Sequence, residues 1–222
     1  MKDIVIVGAG GFGREVRLII NQINKNDKKY NFLGFYDDAF QKGQLIDSFK
    51  ILGGIEDLVS IKSKTSVIIA IGEPHIKKKV VFLLLKNKLL SFPNIIHPNN
   101  TLDEESVTLG IGNIICEGSI LTTNIIFKDF IIVNLICSIG HDTIIDSFSS
   151  IMPGVNISGE VYVHECVYVG TGAKLINQIE IGSYTVIGAG AVVTKSLPVN
   201  CTAVGVPAKI IKVNNIKYGL LS

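Results

Sequence analysis

At 222 residues with a net charge of +2, the chain has room for one large domain or two small ones and carries no field that would draw it to nucleic acid or an anionic membrane. Charged residues make up only 18% of it and its mean hydropathy is +0.44, a balance that suits either membrane insertion or a coil filled with aliphatic side chains. Insertion is disfavoured: a spanning helix needs about 20 apolar residues, and the runs at Val80–Leu85 and Phe130–Val133 stop far short of that.

Met1–Val7 is too short, and too closely followed by glycines, to be a secretory signal, so a cytoplasmic protein is expected. Asp3–Val7 reads as a buried strand, and Arg14–Asn24 carries a helical pattern through Val16, Leu18, Ile19, Ile20 and Ile23. Between them, Gly8-Ala9-Gly10-Gly11-Phe12-Gly13 fits G-x-G-x-x-G. Such glycines let the backbone approach a diphosphate at a helix N-terminus, where unpaired N–H groups and the helix dipole favour negative charge. A tight turn with close strand–helix packing is the plainer explanation of the same residues.

A second strand, Phe32–Tyr36, ends at Asp37-Asp38, and a third, Ser66–Ile71, ends at Gly72. Ile51–Gly54 and a helix from about Ile55 lie between them. A helix over 74–87 and a short strand at Ser91–Ile96 complete a small Rossmann-like parallel sheet over residues 1–97. The second set of βαβ units of a full dinucleotide fold is missing, so a mononucleotide or nucleotide-sugar suits this sheet better than NAD.

From Leu109, every sixth residue is apolar: Ile115, Leu121, Phe127, Val133, Ile139, Ile145, Ile151, Ile157, Val163, Val169, Leu175, Ile181, Ile187 and Val193 follow without a slip. Two places before each lies a mostly small or β-branched residue, such as Ile125, Thr143, Ser149, Val155 or Ala173. Two inward residues around one outward residue make a short strand, and the other three positions must turn a corner. Three such hexads close a triangular coil of a parallel β-helix, and about five coils follow for residues 98–222. An amphipathic helix would need apolar residues every three or four positions instead.

Cys116, Cys137, Cys166 and Cys201 show no C-x-x-C spacing; they read as buried small hydrophobes, with neither a metal site nor a disulfide framework. Among the four histidines, His141 stands out. In the frame set by Ile139, His141 and Asp142 occupy a corner and face outward. His75 and His164 are expected in solvent, and His97 at the interdomain turn.

The start V-G-A-G-G-F-G-R-E-V, the pair Asp37-Asp38, Ala70-Ile71-Gly72, Asn134 with Ile139-Gly140-His141-Asp142, and Gly205-Val206-Pro207-Ala208-Lys209 together resemble the bacterial sugar O- and N-acetyltransferases over almost the whole chain. This is the family of sialic-acid O-acetyltransferases and nucleotide-aminosugar N-acetyltransferases. The resemblance implies a left-handed parallel β-helix, a homotrimer, and acetyl-CoA in the groove between neighbouring solenoids. It implies His141 as the base, Asp142 as its acidic partner, and the Gly159 N–H as donor to the oxyanion. Ser150, Thr171, Ala189 and Lys209 are implied at the CoA site together with Gly159. Asn134 is implied at the acceptor, and Gly10, Gly11, Phe12, Asp37, Asp38 and Gly72 at the nucleotide-sugar.

A neutral imidazole suits that chemistry near pH 7, because acetyl transfer needs a base as the amine or hydroxyl attacks the thioester. N-acetylation of a 4-amino nucleotide sugar is the leading expectation, with O-acetylation of sialic acid beside it. An NAD-dependent oxidoreductase and a non-catalytic hexapeptide scaffold are the readings from other classes.

Overall fold

A computed structural model describes residues 1–103 and 105–213. Its first part runs β1 (Lys2–Val7), α1 (Gly11–Asn26), β2 (Tyr30–Tyr36), β3 (Leu45–Ile46), β4 (Phe49–Gly53), α2 (Ile55–Val59), β5 (Thr65–Ile69), α3 (Pro74–Leu84) and β6 (Leu90–Ser91). The sheet has the order β3-β4-β2-β1-β5-β6, parallel except for the β3–β4 hairpin at its edge. Ile4–Val7 of β1 are fully buried, as a central strand covered on both faces requires. The chain leaves β1 towards β2 on one side and returns as β5 on the other. The carboxyl ends of β1 and β5 therefore flank the switch point where such sheets bind ligands.

α1 buries Val16, Ile19 and Ile20 on one stripe, the spacing expected of a helix with a single apolar face. α3 begins at Pro74, where the missing N–H costs nothing, and the Glu73 carboxylate accepts from Ile76 N at 2.7 Å. The strand expected at Ser91–Ile96 is two strands. Leu90–Ser91 pairs with β5, whereas β7 (Ile95–Ile96) pairs with Ile114–Ile115. Pro93 lies between them without an N–H to continue a ladder, and the chain changes sheet there. The pairing draws Ile95–Ile96 into the solenoid, ahead of the expected boundary after residue 97.

The solenoid has three faces. Face one holds the parallel strands 95–96, 114–115, 132–133, 150–151, 168–169, 186–187 and 201–204, with 209–213 added antiparallel. Face two holds 120–121, 138–139, 156–157, 174–175 and 192–193, and face three holds 107–109, 125–127, 144–145, 162–163 and 180–181. On faces two and three each strand pairs with one 18 residues further on, as in Ile139 with Ile157 and Ile145 with Val163. The apolar row of the sequence forms one continuous core, in which each fully buried aliphatic side chain contributes about 1.5–3 kcal/mol.

The corners share one backbone device. At every sixth position from Gly112 through Gly190 the residue has positive φ, including Asn124, Ile136, Asp142, Glu160 and Gln178. Inward hydroxyls brace the stacked corners: Ser149 Oγ donates to His164 O and accepts from Val167 N, and Thr143 Oγ1 donates to Ser158 O.

The N-terminal sheet rests on face one. Ile114, Cys116 and Ile132 cluster with Ile4, Ile6 and Ile95, and Phe130, Phe148 and Cys166 cluster with Val5, Val7 and Val81. α3 also sends two lysines into this contact. Lys77 is fully buried and donates to Ser150 Oγ at 2.8 Å and Ser149 O at 3.2 Å; Lys78 reaches Glu165 Oε2 at 2.7 Å and Tyr184 OH at 2.8 Å. All four cysteines are free and buried. Among the described residues no helix is long and apolar enough to cross a membrane, and no group of three or more His, Cys, Asp or Glu is placed to hold a metal.

Candidate active site

His141 and Asp142 lie on the edge between faces two and three, with side chains 56% and 48% exposed. His141 Nδ1 is 2.7 Å from Asp142 Oδ2. A proton on Nδ1 directed at the carboxylate leaves the Nε2 lone pair free, which is the tautomer a general base needs. Asn124 Nδ2 donates to the other oxygen, Asp142 Oδ1, at 2.5 Å. That contact first, and His141 second, hold the Asp142 carboxyl below the usual carboxylate range.

Two glycines shape the seat of the imidazole. A Cβ on Gly159 would stand 2.5 Å from His141 Cε1 and would overlap Nε2. The tip of the ring therefore lies against the Gly159 backbone, one coil away. A Cβ on Gly140 would stand 2.6 Å from Gly159 N, so the two coils meet backbone to backbone beneath the ring.

Asn134, Thr171 and Ala189 lie along a different edge, between faces one and two. Asn134 is nearly buried, and its Oδ1 accepts from Leu135 N at 2.7 Å. Thr171 and Ala189 are exposed, with Thr171 O accepting from Gly190 N. A whole prism face separates them from His141. Ser150 is on face one, buried under α3 and bonded to Lys77. Lys209 is exposed and pairs opposite Val204. Within one chain, then, the structure joins His141, Asp142 and Gly159 and keeps Asn134, Ser150, Thr171, Ala189 and Lys209 apart from them.

In the N-terminal sheet the glycine turn divides into two kinds of position. Gly8, at φ +100°, would press a Cβ against Ala70 O at 2.8 Å, and a Cβ on Gly13 would overlap Gly8 O. Those two are demanded by packing. Gly10 and Gly11 have nothing within 4 Å of such a Cβ, so local packing does not demand glycine there, and open space lies at the first turn of α1. Phe12 packs into the core cluster beneath. Asp37 holds the turn, with Oδ2 accepting from Ala9 N at 2.8 Å and Oδ1 from Ala39 N at 2.9 Å. Asp38 Oδ1 accepts from Ile55 N at the start of α2. Gly72 stands beside Met152, 3.9 Å from its Cε if given a Cβ, and Met152 lies one coil above Asn134 on the same edge. The open end of the sheet is thus continuous with that edge.

The other histidines differ in part from expectation. His75 stacks on Tyr184 at 4.9 Å between ring centroids. His164 stacks on Tyr162 at 4.0 Å, with Asp146 3.8 Å from Nδ1 and Glu180 3.5 Å from Nε2. His97 is buried after β7 and accepts from Asn99 N at Nδ1. Reading the sequence missed Asn124, whose signal is its place 18 residues before Asp142. It also missed Lys77 and Lys78, for which no signal exists, since docking of α3 on face one is not encoded in any repeat.

A hexapeptide solenoid that presents an oriented imidazole over a glycine backbone, joined to a small sheet with an open glycine turn, defines an acyltransferase of the hexapeptide-repeat class. Residues 3–83 match the family described as the PglD N-terminal domain. The chain is 29% identical over 213 residues to the GDP-perosamine N-acetyltransferase of Escherichia coli O157:H7, covering 93% of this chain and 95% of that protein. It superposes on WeeI from Acinetobacter baumannii AYE with a TM-score of 0.85, at 32% identity over 95% of this chain and 100% of the other. It also superposes on PerB from Caulobacter crescentus, solved in complex with CoA and GDP-perosamine, with a TM-score of 0.86, at 26% identity over 96% and 98%. The chain belongs to the hexapeptide-repeat family of nucleotide-aminosugar N-acetyltransferases.

Proposed function

We infer that this protein transfers the acetyl group of acetyl-CoA to the amino group of a nucleotide-linked 4-amino-deoxy sugar, in the cytoplasm and in the service of surface glycan synthesis. The observation that carries the reading is the His141 ring, oriented by Asp142 and seated on Gly159 at an exposed edge. The sugar's amine attacks the thioester carbonyl and forms the C–N bond. His141 Nε2 takes the proton the nitrogen sheds. The Gly159 N–H, beside the ring, donates to the oxyanion of the tetrahedral intermediate. Collapse breaks the C–S bond, and the imidazolium returns its proton to the departing thiolate, leaving amide and CoA. Asp142 stabilises the imidazolium in between.

Gly10, Gly11 and the backbone of Phe12 receive the diphosphate. Asp37 holds the turn, Asp38 and Gly72 border the nucleoside, and the sugar extends towards Asn134. Since Asn134 and His141 occupy different edges of one prism, the site closes between two copies, as in a homotrimer whose neighbours pair unlike edges. Thr171 and Ala189 then line the CoA groove, with Lys209 near its phosphate. Ser150, bonded to Lys77 on face one, backs that wall.

Acceptor profiling tests the reading. Thiol release from acetyl-CoA is expected with UDP- or GDP-linked 4-aminosugars and not with free sialic acid. Release with sialic acid alone would replace N- with O-acetylation, and release with neither would leave a non-catalytic scaffold. Light scattering is expected to give about three times 24.0 kDa.

A further inference from the structure

The edge that carries His141 is occupied by four stacked polar residues, each one coil from the next. Asn124, Asp142, Glu160 and Gln178 have φ of 53°, 57°, 58° and 61°, the left-handed region in which Asn and Asp are favoured among non-glycine residues. The inner two are carboxylates on adjacent coils, separated by roughly the 4.8 Å strand spacing, and like charges so placed repel. The outer two are amides. Asn124 Nδ2 donates to Asp142 Oδ1 at 2.5 Å, and Gln178 Nε2 donates to Glu160 Oε2 at 3.1 Å. Each carboxylate is drawn away from the other by an amide on its far side.

We propose that Asn124 is a positioning residue of the acetyl transfer: its amide, one coil beneath Asp142, turns that carboxylate so that its second oxygen meets the His141 imidazole. The proposal rests on the acetyltransferase reading above. The Asp142 backbone is already fixed, because its N–H donates to Thr123 O at 3.1 Å and its φ belongs to the corner. What remains free on this exposed edge is the rotation of the carboxylate. One of its oxygens is claimed by Asn124 and the other by His141 Nδ1, so the amide sets the angle at which the ring is held. The titratable groups that face this contact are His141, Asp142 and Glu160. Without the amide, repulsion by Glu160 swings the Asp142 carboxylate off Nδ1, the imidazolium loses support, and the Nδ1–H tautomer loses its preference.

Asn124→Gly removes the amide and keeps a residue suited to positive φ. Asn124→Asp keeps the shape and the backbone preference and, when ionised, replaces the donor with a charge that repels the Asp142 carboxylate. In the full-length protein both are expected to lower kcat about tenfold, the loss typical of an outer partner of a working histidine, with KM for both substrates within about twofold. Nitrogen NMR of His141 is expected to show a mixture of tautomers in both variants in place of the Nδ1–H form. Parent-like kcat in both variants, or a fall in kcat with the His141 tautomer unchanged, overturns the proposal. If the parent protein transfers no acetyl group at all, the acetyltransferase reading falls, and the His141 tautomer in the two variants still decides whether Asn124 orients the pair.

Discussion

The seat of the imidazole makes a sharp prediction for Gly159→Ala. A Cβ there would stand 2.5 Å from His141 Cε1 and 2.9 Å from Cδ2, whereas carbon atoms in contact rest about 3.5–4.0 Å apart. The ring must move by about 1 Å. It is the end of a side chain that is 56% exposed, so it swings into solvent at little cost to the fold, and the melting temperature should stay close to that of the parent. A displacement of about 1 Å at a catalytic group costs on the order of a hundredfold in rate. At saturating acetyl-CoA and aminosugar, thiol release is therefore expected to fall about a hundredfold. Gly140→Ala supplies the contrast: its Cβ would meet Gly159 N and Ser158 C, each at 2.6 Å, backbone atoms that have nowhere to go. Overpacking of this kind costs about 1–3 kcal/mol, and the melting temperature should drop with activity. Parent-like turnover in a folded Gly159→Ala protein would refute the claim that the ring works from this seat.

The glycine turn offers a second contrast. Gly10→Ala meets no atom of the protein, so its melting temperature should be unchanged while KM for the nucleotide-sugar rises about tenfold or more, whereas Gly13→Ala, blocked by Gly8 O, should lose stability; unchanged KM in Gly10→Ala would reduce the motif to packing. Burial lowers the Lys77 amine to about 7. Between about 7 and the ordinary lysine value of 10.5, the unfolded chain binds a proton that the folded chain does not, so this group makes stability rise with pH through that window. Compared with Lys77→Met by chemical denaturation, the parent should gain relative stability from pH 7 to 10, and parallel curves would contradict the burial argument. Separately, His141→Ala should retain acetyl-CoA binding by calorimetry while losing turnover, and loss of both would move the residue from the chemistry to the cofactor site.

The solenoid was legible because a strand alternates with period two and a corner takes a fixed number of residues, so Leu109 to Val193 keep one frame. The left-handed corner was harder to see. Gly112, Gly118, Gly154, Gly172 and Gly190 mark it, but Phe130, Ile136 and Phe148 take the same conformation and hide the rule. At the end of the N-terminal sheet the chain passes at Pro93 from one sheet to another, a tertiary event that reading Ser91 to Ile96 as one short strand does not announce. The outward direction of His141 and Asp142 followed from the frame. Asn124 did not, since its contact exists only once coils stack and brings together residues 18 apart. Ser150 illustrates the other limit: a frame position says which way a side chain points, not what docks on it, and here Lys77 of α3 does.

The central claim is that His141 moves a proton as an amine displaces CoA from its acetyl group. It is tested most directly by mass spectrometry of a nucleotide-linked 4-aminosugar incubated with acetyl-CoA and either the parent protein or His141→Ala. The account predicts a product heavier by one acetyl group, carried on the sugar nitrogen, with the parent and almost none with the variant. Equal product from both, or an acetyl group found on oxygen, would contradict it.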